Sequence, residues 1–134
     1  MVYLDTDVLI HFLVEQSEEK HIQSDKIYQE VSRSGSLFMS FLVLQEASFV
    51  LSKLNVPVNE IQLNLNPMLS FNPYSYRLED YRRAIVLAEK MGYQHFNDCL
   101  HTAIAERYCD ELITYNKADF TKIRGLTTLK ITLL

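Results

Sequence analysis

Four short acidic pieces constrain this chain most, because each follows or opens a strongly apolar segment. They are Val2-Tyr3-Leu4-Asp5-Thr6-Asp7, Gln45-Glu46, Asn97-Asp98 and Ile113-Thr114-Tyr115-Asn116-Lys117-Ala118-Asp119-Phe120. Scattered carboxylates are ordinary. Carboxylates set repeatedly at the ends of strand-like runs and the starts of helix-like ones suggest one convergent site. Two uncompensated carboxylates about 4 Å apart repel by roughly 4 kcal/mol at an effective dielectric near 20. A cluster of them is tolerated chiefly where a cation or a shared proton offsets the repulsion. All-oxygen ligand sets suit Mg²⁺ or Mn²⁺, so the pattern points to metal-assisted phosphodiester chemistry.

The rest of the chain narrows the setting. Its 134 residues suit one domain with one core, expected to span residues 1–134. A hydrophobic fraction of 48% and a charged fraction of 22% belong to a folded chain rather than a disordered one. With three glycines there is no glycine-rich phosphate cradle, and no Walker or dinucleotide fingerprint occurs. The apolar runs are too short to span a bilayer, and no basic segment followed by a cleavable apolar core opens the chain. Cys99 and Cys109 form no C-x-x-C pair and read as buried thiols of a reducing compartment, so a cytoplasmic location is expected. A net charge of −4 argues against tight, nonspecific binding to nucleic acid. Acids gathered around a metal are partly neutralised by it, however, so total charge understates the local potential. Arg77, Arg82, Arg83, Lys117, Lys122 and Arg124 are the candidates for a basic rim, although most such residues are solvated surface charges.

Periodicity gives the scaffold. The run Val2–Leu4 reads as a buried parallel strand ending at Asp5, and residues 8–14 as the first turns of a helix capped by Asp5, Thr6 or Asp7. Residues 16–20 read as a loop or helix end, and 25–31 as a helix stopped by Ser34-Gly35-Ser36. A strand is expected at 37–40. From Phe41, the spacing of Leu44, Ala47, Val50, Leu51 and Leu54 is helical, with Glu46 off that stripe. A helix to about Asn64 and an extended strand at 69–71 are expected next. Leu78–Met91 reads as a helix with Tyr81, Ala84, Ile85, Ala88 and Met91 on one face, ended by Gly92. Asp98 opens a further helix to about Cys109, packed through Ala103, Ile104 and Tyr108. Strands follow at Glu111–Thr114 and Lys130–Leu133. Strands alternating with helices imply an α/β sandwich with a mainly parallel sheet.

Ligands of such sheets bind beyond the carboxyl ends of the strands, at a topological switch point. Asp5 follows the first strand, and Asn116 and Asp119 follow the strand ending at Thr114. Glu46 and Asp98, on early helix turns, are placed to point into the same edge. Asp7, Asp110 and Glu111 read instead as caps or solvated turn residues. His95 and His101 flank Asp98, and the ordinary reading for both is a surface or half-buried side chain. His11 is expected to face the sheet or solvent, and Tyr74, Tyr76 and Tyr81 to pack a groove or a subunit contact.

In this order, and over nearly the whole chain, four pieces resemble the PIN-domain nucleases and, within them, the VapC-like toxins of type II toxin–antitoxin systems. They are Leu4-Asp5-Thr6-Asp7-Val8-Leu9-Ile10, Gln45-Glu46-Ala47, Asn97-Asp98-Cys99-Leu100-His101-Thr102-Ala103-Ile104-Ala105, and the piece from Ile113 to Phe120. The resemblance implies a PIN-like three-layer α/β sandwich, its central, mainly parallel sheet flanked by helices, that binds Mg²⁺ or Mn²⁺ and hydrolyses single-stranded or looped RNA. Carried over residue by residue, Asp5, Glu46 and Asp98 are the core carboxylates, and Asn116 and Asp119 occupy the region of the fourth acidic position. The expected metal ligands are therefore Asp5, Glu46, Asp98, Asn116 and Asp119, and the expected catalytic set is Asp5, Glu46, Asp98 and Asp119. Thr6, Asp7 and Thr114 support them, Thr114 by bonding a ligand carboxylate or a bound water. Two departures stand out: Asp7, where the family more often has Asn, Ser or Thr, and Asn116, where a carboxylate often sits. Lys117 and Arg124 are candidates to steer a phosphate backbone. Tyr115 or Phe120 is a candidate to stack a base, with core packing the better reading of Phe120. The resemblance also implies a homodimer and a cognate antitoxin whose Arg reaches the acidic site.

Chemistry of this kind uses a metal to lower the pKa of water for attack at phosphorus. It leaves a 5′-phosphate and a 3′-hydroxyl. One rival is a phosphatase of the haloacid-dehalogenase type, whose Asp-x-Asp spacing Asp5-Thr6-Asp7 shares, one Asp attacking phosphorus. Against it, Leu9 stands where that family prefers Thr or Val, a chain of 134 residues leaves little room for a cap domain, and no downstream lysine with paired acids is evident. The other rival is a catalytically inactive PIN scaffold that binds RNA or protein.

Overall fold

Adjacent residues of a strand point to opposite faces of its sheet. In the first strand, β1 (Val2–Leu4), both Tyr3 and Leu4 are buried. The same holds for Leu112 and Ile113 of β3 (Glu111–Thr114). A sheet whose strands bury both neighbours is covered on both faces, as parallel sheets are. In the computed structural model, which describes residues Met1–Leu134, β1 and β3 form the centre of a four-stranded, all-parallel sheet. The other strands are β2 (Leu37–Phe38) and β4 (Lys130–Leu133), and the order is β2-β1-β3-β4. Tyr3 pairs with Phe38 and Leu112, Leu4 with Ile113, and Thr114 with Leu133.

Seven helices flank the sheet: α1 (Thr6–Leu13), α2 (Glu18–Arg33), α3 (Phe41–Lys53), α4 (Val58–Leu65), α5 (Leu78–Met91), α6 (Phe96–Tyr108) and α7 (Lys117–Ile123). This is the expected PIN-like α/β architecture. Tyr3, Leu9, Leu51, Leu87, Ile104, Leu112, Phe120 and Ile123 fill its core. The side chains of Asp5, Ser17, Ser40 and Asn116 cap α1, α2, α3 and α7 by accepting from backbone N–H groups of the first turn. Cys99 is buried, and both cysteines are free thiols. No helix is long and apolar enough to cross a membrane.

Several elements differ from the expectation. α2 begins seven residues earlier than residue 25, because Ser17 caps a first turn of Glu18, Glu19 and Lys20 that carries no apolar signal. The strand expected at 69–71 is absent; Asn66–Phe71 is a 3-10 helix instead. Pro67 lacks an N–H and pre-sets a helical φ at its start. Asn72, at φ 51°, turns the chain out of it, and the extended pairing falls later, where Tyr74 bridges Ser40. In α5 the buried stripe is Asp80, Ala84, Leu87 and Ala88, rotated from the expected one, so that Tyr81 is 43% exposed. Asp80 is drawn inward because its Oδ2 accepts from the Arg77 N–H and the Tyr74 hydroxyl, 2.8 and 2.7 Å away. Gly92 ends α5 at φ 99°, a left-handed value that glycine adopts freely. α6 is buried continuously from Cys99 to Ala105, which marks it as the central helix.

Candidate active site

The sheet order places β1 and β3 side by side, with β1 leading to β2 on one flank and β3 to β4 on the other. The switch point therefore lies beyond Leu4 and Thr114. The Asp5 N–H donates to the Ile113 carbonyl at 3.0 Å, which carries the strand pairing one residue further and sets Asp5 against Thr114. Asp5 Oδ1 accepts from the Thr6 N–H at 2.8 Å and Oδ2 from the Thr114 hydroxyl at 2.7 Å. Asp5 is thus both the cap of α1 and a buried carboxylate at the strand end.

Glu46, in the second turn of α3, comes to Asp5 from the side. Its Oε2 accepts from the Thr6 hydroxyl at 2.5 Å and from His101 Nε2 at 2.8 Å, and its Oε1 from the Asn97 amide at 2.9 Å. Burial alone would raise its pKa; the bonds from His101, Thr6 and Asn97 outweigh that and hold the carboxyl below its ordinary range. Asp98, in the first turn of α6, faces the same space. Burial, reinforced by Asp5 and Asp119, pushes its pKa up to about 7. Asn116 lies between Asp98 and Asp119, its amide 3.4 Å from Asp98 Oδ2 and 3.0 Å from Asp119 Oδ2. Asp119 also pairs with His95 Nδ1 at 3.2 Å, and the Asn116 bond with these neighbours keeps its pKa low.

Asp7 is drawn into the centre rather than left on a solvated turn. Its Oδ2 lies 3.1 Å from the Tyr115 N–H and 3.2 Å from the Thr114 hydroxyl. Burial and the Asp5 charge push its pKa up to about 7. A cleft of about 800 Å³ opens above these groups, with Asp5, Asp7, Glu46, Asp98 and Asn116 in its floor and His11, Gln16, Gln45 and Phe49 among its walls.

Residues 2–126 match the PIN domain family. The chain belongs to that family. Among solved structures, VapBC2 from Rickettsia felis, bound to a DNA fragment from their promoter, is similar to it at 17% identity and a TM-score of 0.71, over 100% of this chain and 99% of that one. At that identity the likeness is one of fold. No curated protein matches the chain.

The side chains of this PIN domain fit a hard divalent cation. Two groups bring ligand-capable atoms within 4.8 Å of one another: Asp5, Glu46 and His101, and His95, Asp98 and Asp119. Asp7 Oδ1 is buried and accepts no hydrogen bond from the protein. Such an oxygen is costly unless a cation, a proton or a water satisfies it.

The sequence pointed to Asp5, Glu46, Asp98 and Asp119, with Asn116, read Asp7 as a cap or solvated turn residue unless the family resemblance was followed, and missed the histidines. His101, expected at the surface or half-buried, is 1% exposed and joins Glu46 to the Tyr3 hydroxyl. One signal was legible: it lies three residues after Asp98, on the same side of a helix. His95 is the partner of Asp119, and His11 lines the cleft, its ring edge-on to Tyr115 at 5.2 Å. Tyr115 is not a free stacking platform, because its hydroxyl bonds the Lys20 carbonyl, Gln23 and Ser24 and so anchors α2. Phe120 is in the core, as its apolar neighbours suggested. No Lys or Arg lines the cleft. Lys117 is exposed beside Asn116, while Arg124 stands at the far end of α7, about 10 Å away at 1.5 Å per residue. Arg83 is bound bidentately to Glu106.

Proposed function

We propose that this PIN domain is a Mg²⁺- or Mn²⁺-dependent endoribonuclease, and the toxin of a toxin–antitoxin pair in the cytoplasm. The observation that carries the reading is the gathering of Asp5, Glu46 and Asp98 in one cleft at the switch point of the sheet, in two adjoining groups that Asp119 and two histidines complete, with a buried oxygen of Asp7 beside them that has no donor. Asp5, Glu46, Asp98 and Asp119 would hold the cation, joined by Asn116 when its carbonyl oxygen turns inward. Thr6 holds Glu46 and Thr114 holds Asp5 by hydrogen bonds, and Asp7, fixed by the Tyr115 N–H, adds a carboxylate beside them. A divalent cation supplies Lewis-acid activation of water and offsets charge on the phosphoryl oxygens.

The remaining work falls to the chain. Thr6, Asn97 and His101 keep Glu46 ionised and oriented. Lys117 at the rim attracts the phosphate backbone, with Arg124 too distant to do more than steer it. Phe49, 64% exposed on the cleft wall, offers the base-stacking surface that Tyr115 and Phe120 do not. Water attack breaks the bond from phosphorus to the 3′ oxygen, leaving a 5′-phosphate and a 3′-hydroxyl, with no part for the 2′-hydroxyl. An antitoxin partner is supported by the fold shared with the Rickettsia felis VapBC2 protein and by a floor of carboxylates with no cationic side chain of its own, which suits an inserted Arg. Leu78, Tyr81, Val86 and Tyr93 supply exposed apolar area for a homodimer.

The test is incubation of the purified protein, freed of any copurifying inhibitor, with labelled transfer and ribosomal RNA and Mg²⁺ or Mn²⁺. Discrete cuts bearing 5′-phosphates are expected, and both EDTA and Asp98→Asn abolish them. Metal binding without any cleavage would favour an inactive scaffold, and release of phosphate from small monoesters a phosphatase.

A further inference from the structure

Tyr3 is 0% exposed, His101 1% and Ser40 0%, yet all three are polar and joined in one line. Ser40 Oγ, which caps α3 by accepting from the Val43 N–H at 3.2 Å, lies 2.8 Å from the Tyr3 hydroxyl. That hydroxyl lies 2.7 Å from His101 Nδ1, and His101 Nε2 lies 2.8 Å from Glu46 Oε2. The ionised carboxylate only accepts, so Nε2 carries a hydrogen. In the neutral ring Nδ1 is then an acceptor. The Tyr3 hydroxyl donates to it and in turn accepts from the Ser40 hydroxyl. With the ring neutral every donor and acceptor in the line has a partner; with the ring protonated Nδ1 donates to the Tyr3 hydroxyl instead, and the bond to Glu46 is kept in both forms.

We infer that Tyr3 and His101 form a buried positioning relay, running from Ser40 to Glu46, that fixes the Glu46 carboxylate for its cation. The inference rests on the cation-binding reading above. Three elements meet in the relay: Tyr3 comes from β1, Ser40 and Glu46 from α3, and His101 from α6. Asp5 directly follows β1, and Glu46 and Asp98 lie in α3 and α6, so the relay ties the elements that carry the three acids to one another through the core. A Phe and a Leu would fill the same space without burying the Tyr3 hydroxyl and the two ring nitrogens of His101, and buried polar atoms stabilise only when every one is bonded. The arrangement is that of an outer partner which sets a ligand's orientation and basicity, where loss typically costs ten- to a hundred-fold in metal affinity. His101 Nε2 is also 3.8 Å from Asp5 Oδ1, so its N–H, bonded to Glu46, stands near both carboxylates and offsets part of their repulsion.

The experiment is Mn²⁺ titration of the metal-free protein, read by the electron paramagnetic resonance of free Mn²⁺, with a thermal melt of every variant. Tyr3→Phe keeps the ring and removes the hydroxyl. Its expected effect is an about ten-fold loss of Mn²⁺ affinity. In a Glu46→Gln background the same change should cost nothing further, because the hydroxyl acts through Glu46. His101→Gln, which keeps an amide donor toward Glu46, should bind better than His101→Leu, and that pair carries the comparison alone should Tyr3→Phe fail to fold. Wild-type affinity in Tyr3→Phe, or an equal loss in both backgrounds, overturns the relay while leaving the cation site standing. A nitrogen coupling on bound Mn²⁺ that disappears in His101→Gln also overturns it, in favour of direct ligation. Failure of the wild type to bind Mn²⁺ overturns the cation reading itself, and the relay with it.

Discussion

A carboxylate buried beside another carboxylate must hold a proton or a cation, and Asp7 is in that position. Its pKa of about 7 against an ordinary 3.8 comes first from burial and then from Asp5. Asp7→Asn removes that charge and leaves an oxygen to accept from Tyr115. At pH 8 without metal, the variant should melt about 3–6 °C above the wild type, the shift that roughly 1 kcal/mol produces in a domain of this size. It should also bind Mn²⁺ more weakly, by about ten-fold if the Asp7 carboxylate orients the ligands. A differential scan in EDTA and a Mn²⁺ titration check the two halves, and an unchanged melting point would mean that Asp7 is fully solvated in solution. At this scale the sequence disclosed the acids well and the histidines poorly. Asp5 and Asp98 are conspicuous because a charge directly beside a buried run needs a reason to be there. His101 is inconspicuous because a single letter does not say whether an imidazole is solvated, and the stretch from Cys99 to Ala105 is buried on every side. With no polar face on that segment, there was no contrast to set it apart.

Elements were legible where an apolar stripe or run was long enough to carry a period, as in α3, α5 and β3, and less so where capping set the boundary. α7 went unread for this reason. It has seven residues, and it is started by Asn116, whose Oδ1 accepts from the Asp119 N–H at 3.3 Å. The strand expected at 69–71 failed because alternation across Asn66-Pro67-Met68-Leu69 is weaker than the constraint proline puts on its own φ. Asn116 also bridges Asp98 and Asp119, so changes there separate capping from charge. Asn116→Ala loses the cap and the bridge and should cost about 1 kcal/mol in urea unfolding in EDTA, with no gain in Mn²⁺ affinity. Asn116→Asp keeps a cap but adds a carboxylate between two others. It should be destabilised in EDTA, recover as Mn²⁺ is added, and bind that ion more tightly than the wild type. Equal destabilisation of Asn116→Asp with and without Mn²⁺ would place position 116 outside the cation site.

For the whole molecule, the site makes stability depend on pH in a direction that can be worked out. Asp7 and Asp98 titrate at about 7 in the folded protein, against 3.8 ordinarily. The folded form therefore binds their protons more tightly than the unfolded chain, and the advantage is lost as pH rises through 7. His101 is raised above 6.5: burial opposes this, but the bond to Glu46 and the nearby Asp5, Glu46 and Asp98 charges outweigh it. Its contribution is complete below 6.5 and is likewise lost as pH rises through the folded value. Glu46 and Asp119 are shifted downward, so their contributions are present at neutral pH and are lost only in acid, below their ordinary 4.5 and 3.8. The two sets do not cancel, because they act in different windows. The metal-free protein should be most stable near pH 4.5, lose stability as pH rises toward 7, and level off once Asp7, Asp98 and His101 have given up their protons. A divalent cation replaces the protons that Asp7 and Asp98 give up, so its effect should run the other way with pH. Bound at a hundred times its Kd it adds about 2.7 kcal/mol, and at a fixed concentration it should raise the melting temperature more at pH 8 than at pH 6, where protons compete for the same oxygens. Melting curves at the two pH values, in EDTA and in Mn²⁺, measure both slopes. A melting temperature independent of pH in EDTA and indifferent to Mn²⁺ would mean that these carboxylates are neither crowded nor built for a cation.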